Sequence, residues 1–109
     1  MTDSTYLEVA HWLGAPKICN DQVQEICASI DDYFPGTQII APSLWKHPEL
    51  IQEQEDLNLS ITDYACSHLI PTADRVVFSF NQHGDLYEPM FSRITRAILE
   101  GKPVFGIDQ

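Results

Sequence analysis

The residues of this chain best suited to chemistry are two histidines and a short run of carboxylates: His11, and His83 followed by Asp85 and Glu88. An imidazole changes charge near neutral pH, and a neighbouring carboxylate can fix its tautomer. The set could therefore supply a general base, a general acid and an orienting group. Asp85, Glu88 and His83 are the candidates for catalysis, and spacing alone does not choose among them. No third close ligand accompanies the histidines, so no metal site is expected, and no cofactor either.

These residues need a scaffold that gathers them, and the last third of the chain supplies one. Arg75-Val76-Val77-Phe78-Ser79-Phe80 and Val104-Phe105-Gly106-Ile107 are short apolar runs rich in Val, Ile and Phe, which predicts two strands. Between them, Pro89 to Gly101 has helical periodicity, with Pro at its start and Gly at its end. A strand, helix, strand unit of this kind makes the strands parallel and sets the loop Gln82 to Glu88 at the carboxyl edge of the sheet, where open α/β folds bind small molecules. In that loop the side chains of Asn81 and Gln82 and the backbone at Gly84 suit hydrogen bonds to a base, a sugar or a phosphate. The helix is read as burying Met90, Phe91, Ile94, Ala97 and Ile98 and displaying Arg93, Arg96 and Glu100.

Upstream, Thr5 to His11 reads as a first strand, and Asn20 or Asp21 caps a helix with Val23, Ile26, Cys27, Ile30 and Tyr33 at helical spacing. Thr37 to Pro42 reads as a second strand. Pro48 starts a short acidic helix, and Asn58 or Ser60 caps another that buries Ile61, Tyr64, Ala65 and Leu69 before Pro71 stops it. The expected fold is α/β: one small three-layer Rossmann-like domain over residues 1–109, with a parallel four-stranded sheet in the order 2-1-3-4. That order puts a switch point between the first and third strands, so His11 and Trp12 should face the same crevice as Asn81, His83 and Asp85. Trp12 and Trp45 each follow a strand and could wall a base.

Composition narrows the function classes. The chain has 109 residues, 44% of them hydrophobic, which fits a folded core. No apolar run approaches the roughly 20 residues that span a bilayer, and no basic-then-apolar leader opens the sequence, so a cytoplasmic protein with no membrane partner is expected. Cys19, Cys27 and Cys66 have neither redox nor zinc-finger spacing and read as structural thiols. Sixteen acidic against six basic residues give a net charge of −10, which argues against direct nucleic-acid binding. From His47 to Asp63 the chain carries Glu49, Glu53, Glu55, Asp56 and Asp63 and no Lys or Arg. That surface could dock on a basic protein.

The segment Asp63 to Gln109 resembles the C-terminal half of the nucleoside 2-deoxyribosyltransferase-like group, a small Rossmann-like class. The likeness rests on Ala73-Asp74-Arg75-Val76-Val77, the Gly84-Asp85 loop, and Ala97-Ile98-Leu99-Glu100-Gly101-Lys102-Pro103-Val104, with Tyr6-Leu7 in the place of the opening strand. Asp63 resembles a carboxylate that the group carries on the preceding helix. The resemblance implies a nucleotide or nucleoside ligand, and a homodimer in which one chain closes over the other's pocket. The group's catalytic glutamate stands eight residues before the glycine of its Gly-Lys-Pro-Val run, where this chain has Arg93, and a guanidinium has no lone pair with which to attack an anomeric carbon. His11-Trp12-Leu13-Gly14 is also bulkier than the group's opening loop. The expected function is therefore binding or sensing of a nucleotide or nucleoside derivative without sugar transfer, through His11, Trp12, Asn81, His83, Asp85 and Arg93. Two alternatives stand beside it: a small acidic protein that inhibits or adapts a basic partner, with nucleic-acid mimicry as one mode, and an N-glycosidic hydrolase or transferase in which Asp85 or Glu88 has become the nucleophile.

Overall fold

The structure is a computed structural model that describes residues 3–9, 20–41, 48–80 and 88–108. β1 (Ser4–Val9) leads through α1 (Asn20–Tyr33) to β2 (Gln38–Ile40). Two helices follow, α2 (Pro48–Leu57) and α3 (Ile61–Tyr64), the latter continuing as a π-helical turn over Ala65–Leu69. β3 (Arg75–Phe80), α4 (Glu88–Leu99) and β4 (Val104–Asp108) complete the chain. The four strands form one parallel sheet in the order β2-β1-β3-β4, the expected topology.

Strand alternation splits the core in two. Tyr6 and Val76 point to one face, where they meet Tyr64, Ala65, Leu69, Ile70, Ala73 and Ala97 from the α3 and α4 side. Leu7 and Val77 point to the other, against Ile26 and Ile30, four residues apart on α1, and Ala41. The expected buried residues Tyr64, Ala65 and Leu69 are in place. Ser60 is the cap: its Oγ accepts from the Asp63 N–H at 3.0 Å and its carbonyl from the Tyr64 N–H at 2.8 Å. Asn58 instead closes α2, in a left-handed conformation at φ 55°.

Pro71 follows the π turn, whose last bond runs from the Ile70 N–H to the Ala65 carbonyl at 2.8 Å. Gly101 ends α4 at φ 73°, with the Lys102 N–H reaching back to the Ala97 carbonyl and the Gly101 N–H to that of Ile98, each at 3.0 Å. That is the glycine termination the sequence predicts.

The amino edge of the sheet is tied shut. Arg75 forks onto the Asp3 carboxylate, donates to Thr5 Oγ1 at 3.0 Å, and lies 4.1 Å above the Phe34 ring. The guanidinium holds the Asp3 carboxyl below its ordinary range. The Ser4 N–H donates to Asp74 at 2.8 Å, joining the starts of β1 and β3.

One helix differs from expectation. α4 turns Arg93 and Ala97 inward, at 4% and 0% exposure, whereas Phe91 and Ile98 are about 60% exposed. The sequence reading had buried the two apolar residues and displayed the arginine. An ion pair with β1 outweighs the apolar stripe and rolls the helix about its axis.

Tyr64 packs under α2, its hydroxyl donating to Glu53 and its ring stacked on His68 at 5.2 Å. Burial and the Glu53 carboxylate push its phenol up to about 12. The folded state holds this proton more tightly than the unfolded state, whose phenol sits near 10. The resulting stability is whole below about pH 10 and is lost as pH rises through about 12. Titration followed by tyrosinate absorbance should show a step near pH 12 that disappears in Tyr64→Phe; a step near pH 10 for this residue would refute the packing.

Candidate functional site

β1 connects to β2 on one side and β3 to β4 on the other, so the crevice of this sheet opens at the carboxyl ends of β1 and β3. Glu8 stands one residue below that edge on β1, on the same side as Tyr6 and paired in register with Phe78. A carboxylate inside a strand covered on that face requires a buried donor, because an unpaired buried charge is too costly to keep. The donor comes from α4, which runs back from the crevice.

Arg93 meets Glu8 with a two-pronged fork, Nε to Oε1 at 2.5 Å and Nη2 to Oε2 at 2.9 Å. Its Nη1 donates to Thr62 Oγ1 on α3 at 2.8 Å, and the Tyr6 hydroxyl donates to Glu8 Oε1, also at 2.8 Å. The side chains of Arg93 and Glu8 are 5% and 1% exposed. Burial, and then the Glu8 charge, hold the Tyr6 phenol well above its ordinary range, so it stays a donor. The cluster thus joins β1, α3 and α4 in one closed, charge-balanced floor.

This geometry bears on the chemistry. Both oxygens of Glu8 are occupied by donors and its carboxylate is shut from solvent, so it is no substitute for a nucleophile that must reach a sugar. The guanidinium of Arg93 is committed to Glu8 and Thr62. It ties α4 to β1 and α3. Arg96, by contrast, makes the expected surface pair with Glu100, at 2.9 Å.

Of the candidate site residues His11, Trp12, Asn81, His83, Asp85, Glu88 and Arg93, Arg93 is the one whose side chain is described. Glu88 is the first residue of α4, and its side chain lies outside the described set. His11, Trp12, Asn81, His83 and Asp85 lie outside the described residues, as do Trp45, Gln82 and Gly84. Glu8 was missed. The available signal was its position: an acid two residues after Tyr6, on the inward side of an alternating strand, in a chain with few cations to answer it.

Cys27 and Cys66 are free and half-buried, and burial raises both thiols, which suits structural roles rather than reactive ones. Among the described residues no group of three or more His, Cys, Asp or Glu side chains could hold a metal ion, and no helix is long and apolar enough to cross a membrane.

Fold and crevice together define a small parallel α/β domain of Rossmann-like topology. Compared with known proteins, the chain matches no family model, no curated protein and no solved structure.

Proposed function

We propose that this protein binds a nucleotide or nucleoside derivative in the crevice between β1 and β3, as a cytoplasmic sensor or carrier that does not transfer the sugar. The observation that carries the reading is the Arg93 fork on Glu8: a buried ion pair occupies the place where the resemblance would put a free carboxylate nucleophile. The ligand would be held by His11, Trp12, Asn81, His83 and Asp85 above that floor, the carboxylate suiting a ribose hydroxyl. A homodimer would deepen so small a crevice. α4 offers a face for it, with Phe91, Ile98 and Leu99 exposed beside the balanced Arg96–Glu100 pair.

Thermal unfolding against nucleosides, nucleotides, dinucleotide cofactors and cyclic nucleotides tests this. A ligand at a hundred times its Kd adds about 2.7 kcal/mol to the native state, a rise in Tm on the order of 10 °C for a chain of this size. The rise should be confined to one chemical class and vanish in His83→Ala. No rise with any class would overturn the proposal.

One observation favours a second reading. α2 exposes Glu49, Glu53, Glu55 and Asp56 together with Ile51 and Leu57, and carries no Lys or Arg. Such a surface suits a basic protein, with affinity falling steeply with salt and indifferent to changes at His83 or Asp85.

A further inference from the structure

The two faces of the sheet are covered unequally. α2, α3 and α4 pack on the Tyr6 side, whereas α1 is the only helix among the described residues on the Leu7 side. α1 packs over Leu7 and Val77, with Ile107 at the border of that core, and among the described residues no second helix covers β4 on this side. The result is a groove of about 540 Å³ between the C-terminal half of α1 and β4, lined by Ile30, Tyr33, Phe34, Val77, Phe105 and Ile107. Phe34 and Phe105 meet at its end, ring centroids 5.3 Å apart and tilted by 54°. Tyr33 is 77% and Phe105 43% exposed. A sheet face of this kind is normally closed by a second helix laid beside the first.

The charges around the groove say which helix. α1 carries Glu25, Asp31 and Asp32 on its C-terminal side; the cation that reaches the lining, Arg75, lies 4.1 Å over the Phe34 ring and is already forked onto Asp3. Asp32 follows the lining residue Ser29 by one turn, and Glu25 precedes it by one, so both sit along the rim. Asp31 and Asp32 also stand at the C-terminus of α1, where the helix dipole disfavours carboxylates and favours cations. Asp31 is tied by the Gly36 N–H at 3.1 Å. A cation from outside would relieve both the dipole and Asp32. A second copy of this chain would bring the same acidic rim against itself.

We propose that this groove is the docking site for a basic amphipathic helix of a protein partner, its apolar ridge lying between Tyr33 and Phe105 and its lysines or arginines along Glu25 and Asp32. The mode is helix-in-groove recognition, with aromatic anchors supplying affinity and rim charges supplying choice of partner. It lies on the Leu7 side of the sheet, opposite the Glu8–Arg93 floor, and reaches from Phe34 to Ile107.

The probe is a fluorescein-labelled 14-residue amphipathic peptide of Leu and Lys, followed by anisotropy. Tyr33→Ser with Phe105→Ser should weaken binding about tenfold or more, the loss of about 1.4 kcal/mol that one good anchor exceeds. Tyr33→Ser alone removes a side chain too exposed to support folding, and should still give a clear part of that loss. Asp32→Lys should weaken binding too. Glu100→Gln on α4, an exposed acid on the opposite side of the sheet, should leave it within about twofold, because charges away from the contact contribute little. Equal losses from the α4 and groove variants, or no loss from the groove variants, would show a peptide held by net charge alone and overturn the proposal. So would a wild-type dimer that Phe105→Ser dissociates in sedimentation, since a second copy would then own the groove.

Discussion

Arg93→Met lowers folding stability by about 3–5 kcal/mol, because it leaves the Glu8 carboxylate buried with no counter-charge. Glu8 is 1% exposed, so water cannot take over from the guanidinium. Against the roughly 5–15 kcal/mol that holds a domain of this size together, the single variant sits near the edge of unfolding. The double variant Glu8→Leu/Arg93→Met should recover most of the loss, since an apolar pair of similar volume needs no desolvation of charge. Arg93→Lys should fall between, keeping the charge and losing the fork. Urea denaturation of wild type, Glu8→Leu, Arg93→Met and the double variant closes the cycle and gives the coupling directly. Single variants within 1 kcal/mol of wild type would mean that the pair is not closed over in solution.

Arg93→Glu, which places a carboxylate where the deoxyribosyltransferase-like group has its nucleophile, should be worse than Arg93→Met and strongly dependent on pH. Two carboxylates would face each other in a space built for one carboxylate and one cation, and only uptake of a proton would relieve them. The sign follows: the folded variant binds a proton more tightly than the unfolded chain, whose glutamates titrate near about 4.3. Stability is best below that pH and declines as pH rises above it, opposite to the usual acid denaturation. Adding Glu8→Gln should restore much of the loss, because an amide can donate to the new carboxylate. Melting temperatures of the single and double variants from pH 4 to pH 8 decide it. A flat profile for the single variant would show that residues 8 and 93 do not share one buried site.

The fold was legible because its punctuation was strong. Pro48, Pro71 and Gly101 fall at helix or strand boundaries, Ser60 caps α3, and runs such as Val76 to Phe80 have no competing helical period. Parallel order followed from alternation of strands and helices, since each crossover must return on the right-handed side. The site was legible only as a location. Arg93 was picked out for its place in a motif, but its partner was not, because pairing across 85 residues leaves no local trace. The same blindness produced the error in α4. Apolar spacing pointed Phe91 and Ile98 inward, and a long-range ion pair decided the rotation instead. The groove beside β4 was invisible for a related reason: Tyr33 read as a core residue of α1, and nothing in its own helix reveals that no second helix among the described residues covers β4.

The most direct measurement is to mix the protein with whichever nucleoside or nucleotide raises its melting temperature, incubate at stoichiometric concentration, and resolve the mixture by chromatography. Binding without transfer predicts that the ligand returns intact, with no free base released and none exchanged into an added acceptor base. Release or exchange of base, abolished by Asp85→Asn or Glu88→Gln while binding persists, would contradict it and make the residue so changed the nucleophile.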